Sequence, residues 1–101
     1  MEWNENEGEL LIQNDVQPPK DYKVILLNDD YTTKDFVVSV LESVFQKNRA
    51  ESVIIMESVH KTGKGVAGIY TYDIAASKAE KTMKLARSNG FPLNCKLESC
   101  E

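Results

Sequence analysis

Residues 22–45 read YKVILLNDDYTTKDFVVSVLESVF, and this stretch decides the fold. It begins with a nearly continuous apolar run over Tyr22–Leu27, which predicts a strand whose two faces are both at least partly covered. The Asn-Asp-Asp run at 28–30 ends that strand, because these residues are poor strand formers and favour turns. Thr32 and Asp35 then resemble a capping box, and the apolar residues beyond them recur at i, i+4 spacing, which predicts a helix.

The rest of the chain continues the alternation of strands and helices. The predicted elements are a helix from Asn48 to about Lys61, a strand over Gly65–Tyr70, a helix from Thr71 to Gly90 and a strand over Leu93–Glu98. The order is therefore β-α-α-β-α-β, without an internal repeat. It predicts an α+β fold, a small sandwich of three helices packed on a three-stranded antiparallel sheet.

Charge is distributed unevenly along the 101 residues, whose formal net charge is −4. Five of the sixteen acidic residues lie in residues 1–17, which contain no Lys or Arg, so eleven acids meet twelve bases in residues 18–101. The acidic segment has no strand or helix period and ends at Pro18-Pro19, which marks a boundary. We therefore predict a disordered acidic N-terminal extension, residues 1–17, followed by one nearly neutral domain, residues 18–101.

Composition also excludes several classes of function. The chain has no concentrated basic face of the kind that neutralises phosphates, so nucleic acid is not an expected partner. Its N-terminus lacks the features of a signal peptide, and its longest apolar runs have four residues, against the ~20 that span a bilayer. Two cysteines are too few for a disulfide framework. We expect a cytoplasmic, monomeric protein without a membrane partner.

The residues best able to bind a polar group are the run Asn28–Asp30 and the single histidine, His60. Met56, Val59 and His60 are spaced i, i+3, i+4 and share a helix face, so the imidazole borders an apolar surface. Polar groups at the rim of an apolar surface are typical of a pocket that recognises one amphipathic group.

The same residues have other interpretations. An Asn-Asp-Asp run is most often a turn or a helix cap, and a lone histidine on an apolar helix face is most often structural. Together they could form an incomplete metal site, although the spacing lacks a metal signature, or an acid/base pair of His60 with Asp29 or Asp30. No nucleophile, glycine-rich loop or metal motif accompanies them, so by themselves the residues support a pocket without a reaction. We predict no metal and no cofactor.

Three blocks of sequence resemble a known family: PPKDYKVILLNDDYTTKDFVVSVLESVF at 18–45, MESVHKTGKGVAGIYTYDIA at 56–75 and FPLNCKLE at 91–98. In motifs, order and spacing they closely resemble the ClpS family, whose members are bacterial adaptors that hand N-degron substrates to the Clp protease. The resemblance covers about residues 18–98. It implies a protein that is not an enzyme, that binds a free N-terminal Leu, Phe, Tyr or Trp, and that delivers the substrate to a Clp AAA+ ATPase–ClpP protease.

The resemblance also implies roles for individual residues. The α-amino group of the substrate would be bound by Asn28, Asp30 and His60, with Asp29 beside them for the amine or the substrate backbone. The hydrophobic pocket would be lined by Leu27, Thr32, Lys34, Val37, Met56, Val59 and Leu93.

Three further features follow from the comparison with the family. Asp73 and Lys78, at the start of the third predicted helix, match positions that contact the N-terminal domain of a ClpA- or ClpC-type ATPase. The acidic extension resembles the segment that the ATPase engages during delivery. Lys34 departs from the family, many of whose members have Met there to help exclude β-branched side chains. We therefore expect a relaxed or shifted side-chain preference.

Two rival functions remain open at the level of sequence. A small hydrolase could use His60 together with Asp29 or Asp30, and it would have to turn over a substrate. A scaffold domain of ribosomal-stalk type has the same β-α-α-β-α-β order. Such a domain would not need the run Asn28–Asp30 or His60.

Overall fold

Six elements alternate as β-α-α-β-α-β in the computed structural model, which describes residues 20–101. They are β1 (Asp21–Leu27), α1 (Lys34–Ser43), α2 (Arg49–Thr62), β2 (Lys64–Thr71), α3 (Tyr72–Ser88) and β3 (Asn94–Ser99). The predicted order and the α+β class are confirmed. The extension predicted over residues 1–17 lies outside the described residues.

The central strand of the antiparallel sheet is β1, since the strand order is β2-β1-β3. This position explains its apolar sequence, because Val24, Ile25 and Leu26 are all buried. Val24 and Leu26 belong to the main core, while Ile25 points to the opposite face, with Val66 and Lys96 as its cross-strand neighbours. The prediction of a strand covered on both faces is thus confirmed.

All three helices contribute side chains to one core on the same face of the sheet. The buried members of this core are Val24, Leu26, Val37, Val38, Val40, Leu41, Val44, Phe45, Met56, Val59, Ala67, Ala75 and Ala79. The helix α2 packs closely on β2, because a Cβ atom at Gly65 would lie only 2.8 Å from Val59 Cγ2. The helix α3 approaches the sheet through a stripe of small residues, and Ala75, Ala79, Thr82 and Ala86 are buried there.

The first two helices each begin at a residue whose side chain caps the helix, and one of the two predicted caps is wrong by one residue. Asn48 caps α2 as expected, since its Oδ1 accepts a hydrogen bond at 2.8 Å from the amide three residues on. The cap of α1 is Thr33 and not Thr32, and Thr33 Oγ1 accepts a hydrogen bond from the Phe36 amide at 3.1 Å. Thr32 is not available as a cap because its amide and hydroxyl both bond to Asp29.

The hydroxyl of Thr82 is fully buried and, within residues 20–101, has no hydrogen-bond partner. A buried polar group without a partner destabilises a protein by roughly 1–3 kcal/mol. We expect Thr82→Val, which replaces the hydroxyl with a methyl group of similar volume, to raise the free energy of unfolding by about 1 kcal/mol. Thermal melts should then show a Tm about 4–8 °C above that of the parent.

Thr62→Val is the matched control, because Thr62 Oγ1 lies within hydrogen-bonding distance of the carbonyl oxygens of Ser58 (2.7 Å) and Lys64 (3.0 Å). This variant should leave the Tm unchanged or lower it. An unchanged or lower Tm for Thr82→Val would contradict the conclusion that its hydroxyl is unpartnered.

Candidate functional site

The predicted site residues converge at the end of β1, where the chain leaves the sheet. Leu27, the last residue of β1, pairs with Asn94 of β3, and the Asn28 amide donates a hydrogen bond to the Gly63 carbonyl oxygen at 2.9 Å. Gly63 ends α2 in the left-handed region (φ 93°), which glycine adopts without strain. These contacts bring the end of α2 and the segment before β3 next to the loop 28–33, which leads into α1.

Asp29 holds the loop 28–33 in shape. Its Oδ1 accepts hydrogen bonds from the amides of Tyr31 (2.8 Å) and Thr32 (2.7 Å), and its Oδ2 accepts one from Thr32 Oγ1 (2.7 Å). A carboxylate has roughly four acceptor positions, so one of them, on Oδ2, remains for a further donor. The structure therefore gives Asp29 a positioning role, while its contact with a substrate stays a prediction.

The same hydrogen bonds keep Asp29 charged. Burial raises the pKa of its carboxyl group, but the hydrogen bonds from Thr32 and Tyr31 and the positive charge of Arg87 outweigh burial. The pKa of Asp29 consequently lies below its ordinary value of 3.8. At neutral pH the group is ionised, and hydrogen bonds to an ionised acceptor are stronger than neutral ones.

Asn28, Asp30 and His60 are exposed at the rim of this corner. His60 lies in the last turn of α2, close in sequence to the Gly63 carbonyl that accepts the Asn28 amide. Among the residues that the structure describes, none of the three side chains makes a hydrogen bond or an ion pair. They present an amide oxygen, a carboxylate and an imidazole nitrogen, all of which can accept hydrogen bonds.

The predicted apolar wall is continuous with the protein core. Val37, Met56, Val59 and Leu93 are buried, and Leu27 and Thr32 are partly buried. A ligand side chain at this corner would therefore pack against the edge of a core that is already filled. Met56 is the member best able to adjust its shape, because its side chain is unbranched and flexible.

Lys34, the first residue of α1, forms an ion pair with α2. Its Nζ lies 3.6 Å from Glu57 Oε1, and Lys61 Nζ lies 3.5 Å from Glu57 Oε2. The charge of Lys34 is the main cause of the lowered pKa of Glu57; desolvation opposes it, and the hydrogen bond and charge of Lys61 add to it. The exposed Lys34 side chain is thus directed toward α2.

Arg87 is a positioning residue that the sequence analysis did not identify. Its Nη1 donates hydrogen bonds to the carbonyl oxygens of Phe91 (3.1 Å) and Leu93 (2.7 Å), and its Nη2 donates one to Asn94 Oδ1 (3.0 Å). These bonds fix the segment that brings Leu93 to the apolar wall. A basic residue in the last turn of a helix, before a Gly-Phe-Pro sequence, is the only signal that could have indicated this role.

The predicted ATPase-contact residues Asp73 and Lys78 lie on α3, away from this corner. Asp73 lies in its first turn, beside Thr71, which pairs with Asp21 at the opposite end of β1. The structure thus places the predicted ATPase-contact residues and the predicted substrate-binding residues at opposite ends of the central strand.

Lys78 also has a structural role. Its Nζ donates hydrogen bonds to the Val44 carbonyl oxygen (2.7 Å) and to Gln46 Oε1 (3.0 Å), just beyond the end of α1. The same amine lies 5.2 Å from the ring centroid of Tyr70 and 5.9 Å from that of Phe45. Lys78 therefore joins α3 to the end of α1.

Two negative findings apply to residues 20–101. No three His, Cys, Asp or Glu side chains in this range are grouped so that they could hold a metal ion, and this includes His60 with Asp29 and Asp30. No helix in the same range is long and apolar enough to cross a membrane.

Comparisons with known proteins point to one family. The sequence model described as "ATP-dependent Clp protease adaptor protein ClpS" matches residues 17–96. Two relatives carry the name ATP-dependent Clp protease adapter protein ClpS. The protein from Lawsonia intracellularis is 48% identical over 99 residues, which cover 96% of this chain and 91% of the relative. The protein from Acetivibrio thermocellus is 56% identical over 84 residues, which cover 83% and 85%, respectively.

A solved structure is similar in both fold and sequence. It is Agrobacterium tumefaciens ClpS2 bound to L-phenylalaninamide, with a TM-score of 0.78 and 40% sequence identity. The match covers 81% of this chain and 99% of that chain.

We expect Asp29→Asn to lower the free energy of unfolding by roughly 1 kcal/mol at pH 7, because the neutral amide keeps an acceptor for the Tyr31 and Thr32 amides but loses the charge and the hydrogen bond from Thr32 Oγ1. Because the pKa of Asp29 is lowered in the folded state, the carboxylate stabilises the protein above its ordinary pKa of 3.8. That contribution is lost as the pH falls through the lower folded-state value. The difference in Tm between parent and variant should therefore be full at pH 7 and shrink as the pH falls below 3.8.

Asp30→Asn controls for the loss of a charge in the same loop, since the Asp30 side chain is exposed and makes no hydrogen bond within residues 20–101. It should leave the Tm at pH 7 unchanged. Equal melting temperatures for Asp29→Asn and the parent at pH 7, or a difference that persists at low pH, would refute the positioning role.

Proposed function

The chain belongs to the ClpS family of ATP-dependent Clp protease adaptors, and from this premise we propose that it binds the free N-terminal residue of N-degron substrates. The observation that supports the proposal most directly is the rim of Asn28, Asp30 and His60 beside an apolar wall. The ClpS2 relative, whose ligand L-phenylalaninamide combines an α-amine with a bulky aromatic side chain, supports the same assignment.

The rim residues suit an α-amino group. An ammonium ion offers three hydrogen-bond donors and no acceptor, and an amide oxygen, a carboxylate and a neutral imidazole nitrogen can each accept one bond. The carboxylate of Asp30 adds charge to this set, which strengthens the hydrogen bond. Asp29 completes the site by holding the loop, and its remaining acceptor position faces the same donors or the substrate backbone.

The apolar wall suits a bulky side chain. Burying a Leu or Phe side chain contributes roughly 1.5–3 kcal/mol, and each hydrogen bond to a charged group contributes roughly 1.5–3 kcal/mol, though not additively. Association itself costs about 4 kcal/mol or more. The balance predicts micromolar dissociation constants for substrates that begin with Leu, Phe, Tyr or Trp.

In this proposal the protein is an adaptor and not an enzyme, and it acts in the cytoplasm. It delivers bound substrates to a Clp AAA+ ATPase–ClpP protease, whose ATPase N-terminal domain contacts Asp73 and Lys78. The acidic extension, residues 1–17, is engaged by the ATPase during delivery. Because Lys78 also joins α3 to the end of α1, Asp73 is the cleaner position at which to test ATPase contact.

The rival functions have weaker support. The carboxylate oxygens of Asp29 accept hydrogen bonds from its own loop, and none is directed to His60. Cys95 is a poor nucleophile: burial raises the pKa of its thiol to about 11, against a small opposing effect of Arg87, so it is protonated at neutral pH. A bare scaffold of ribosomal-stalk type offers no reason for a loop that presents Asn28 and Asp30 with free side chains.

Fluorescence anisotropy with labelled peptides tests the proposal. Peptides that begin with Leu or Phe should bind with micromolar affinity when the amine is free. N-acetylation removes the charge and the donors and leaves the rim acceptors unpaired, so it should weaken binding at least tenfold. Equal binding of free and acetylated peptides, or no binding of either, would refute amine recognition by this protein.

Two aspartate variants connect that result to the rim. Asp30→Asn should weaken binding of the free peptides about tenfold, because it replaces an ionic hydrogen bond with a neutral one. Asp35→Asn makes the same change of charge in the first turn of α1 and should leave the affinity unchanged. Similar losses in both variants would indicate a general effect of charge instead of a contact with the amine.

The ion pair of Lys34 with Glu57 predicts a relaxed preference for the first side chain. We expect Lys34→Met to weaken binding of Ile and Val peptides relative to Leu peptides, because Met would cover the mouth of the pocket that Lys34 leaves open. Lys61→Met is the control, since it breaks the other contact of Glu57 without altering a pocket residue. Unchanged affinity ratios in Lys34→Met would remove this explanation.

A further inference from the structure

An open groove of about 480 Å³ adjoins the candidate site and is not part of it. It is lined by Tyr31, Arg87, Gly90, Phe91 and Pro92. Tyr31 is 76% exposed, so its ring is accessible to a ligand side chain. The groove thus consists mainly of an aromatic ring on one side and a Phe-Pro pair on the other.

The backbone on both sides of the groove and the ring of Phe91 are held before any ligand arrives. The Tyr31 amide is held by Asp29, and the Phe91 carbonyl oxygen is held by Arg87. The Phe91 ring packs against that of Phe36, with 4.9 Å between the centroids. A groove with walls fixed in this way binds a side chain with little cost of ordering.

The groove residues are direct chain neighbours of the candidate site residues. Tyr31 directly follows Asp30 of the rim, and Pro92 directly precedes Leu93 of the apolar wall. Gly90, with φ 78°, leaves open space where a Cβ atom would lie, so the groove is not closed from below. A peptide whose amine is bound at Asp30 therefore has its next residues close to the groove.

We propose that this groove binds an apolar or aromatic side chain at the second or third residue of the substrate. The inference rests on the proposed function, because it takes the first residue to be bound at the rim. An extended chain advances about 3.3–3.6 Å per residue, and successive side chains point to opposite sides. One of the two residues therefore faces the groove, where the rings of Tyr31 and Phe91 and the guanidinium of Arg87 offer stacking surfaces.

The experiment compares three peptides that begin with Leu-Gly-Gly, Leu-Phe-Gly and Leu-Gly-Phe, measured by anisotropy with the full chain. One of the Phe peptides should bind about 2- to 10-fold more tightly than Leu-Gly-Gly. Tyr31→Ala should reduce this ratio to about 1, and Tyr31→Phe should retain it. Tyr72→Ala is the matched control, since Tyr72 is an exposed tyrosine at the opposite end of β1, where it packs on Tyr22.

The possible outcomes distinguish binding in the groove from recognition of the first residue at the rim. Equal affinities of the three peptides for the parent, or a ratio that Tyr31→Ala leaves unchanged, would overturn the groove while leaving amine recognition in place. A ratio that falls equally in Tyr72→Ala would overturn it as well. Failure of Leu-Gly-Gly to bind, or equal binding after acetylation, would overturn the proposed function and the role of the groove with it.

Discussion

The three hydrogen bonds that Asp29 accepts from Tyr31 and Thr32 determine the shape of the candidate site. They turn the chain immediately after a central strand that is buried on both faces, so the loop begins from a rigid base. The Asn28 amide is fixed on the other side by the Gly63 carbonyl oxygen. With the backbone held at both points, the side chains of Asn28 and Asp30 are left to face solvent at a defined place.

Arg87 holds the backbone of the segment before β3 in place, as Asp29 holds the backbone of the loop 28–33. Asp29 accepts hydrogen bonds from two backbone amides of the loop, and Arg87 donates hydrogen bonds to two backbone carbonyl oxygens of the segment before β3. Both irregular segments would otherwise have to become ordered when a ligand binds. A site whose supporting residues are fixed by such bonds loses less conformational entropy on binding. The two residues are also coupled electrostatically, since the charge of Arg87 helps to lower the pKa of Asp29. The two irregular segments thus supply part of the site, and the helices α1 and α2 supply His60 and much of the apolar wall.

The sequence predicted the architecture well because each element has a strong local signal. The apolar run at Tyr22–Leu27 indicated a buried strand, and the i, i+4 spacing of apolar residues after Asp35 indicated the helix that follows it. The predicted cap of α1 was wrong by one residue, because Thr32 is hydrogen-bonded to Asp29 and Thr33 caps the helix. Capping rules do not take such a competing hydrogen bond into account. Arg87 was missed because two of its three partners are backbone carbonyl oxygens, which any residue type supplies, and the third, Asn94 Oδ1, is brought to it only by the tertiary fold.

The candidate site was reached by a different route from the fold. Periodicity placed His60 beside an apolar face, but the run Asn28–Asp30 has many uses, and only the family resemblance assigned it to an amine. The structure then separated the run into one residue that holds the loop and two that face outward. It also showed that Lys78, expected as a partner contact, packs against the end of α1. Such long-range contacts depend on the tertiary fold and cannot be read from spacing.

Amine recognition at the rim is tested most directly by an NMR titration of the amide and His60 imidazole signals with L-phenylalaninamide and with its N-acetylated form. The free amine should shift signals at residues 27–34, at 56–60 and at 90–94, and the acetylated compound should shift none at the same concentrations. The amides of Tyr31 and Thr32 should be protected from solvent exchange before ligand is added, since Asp29 already holds them. Equal shifts with both compounds, or shifts centred on Val66 and Ile69 of the outer sheet face, would contradict amine recognition at the rim.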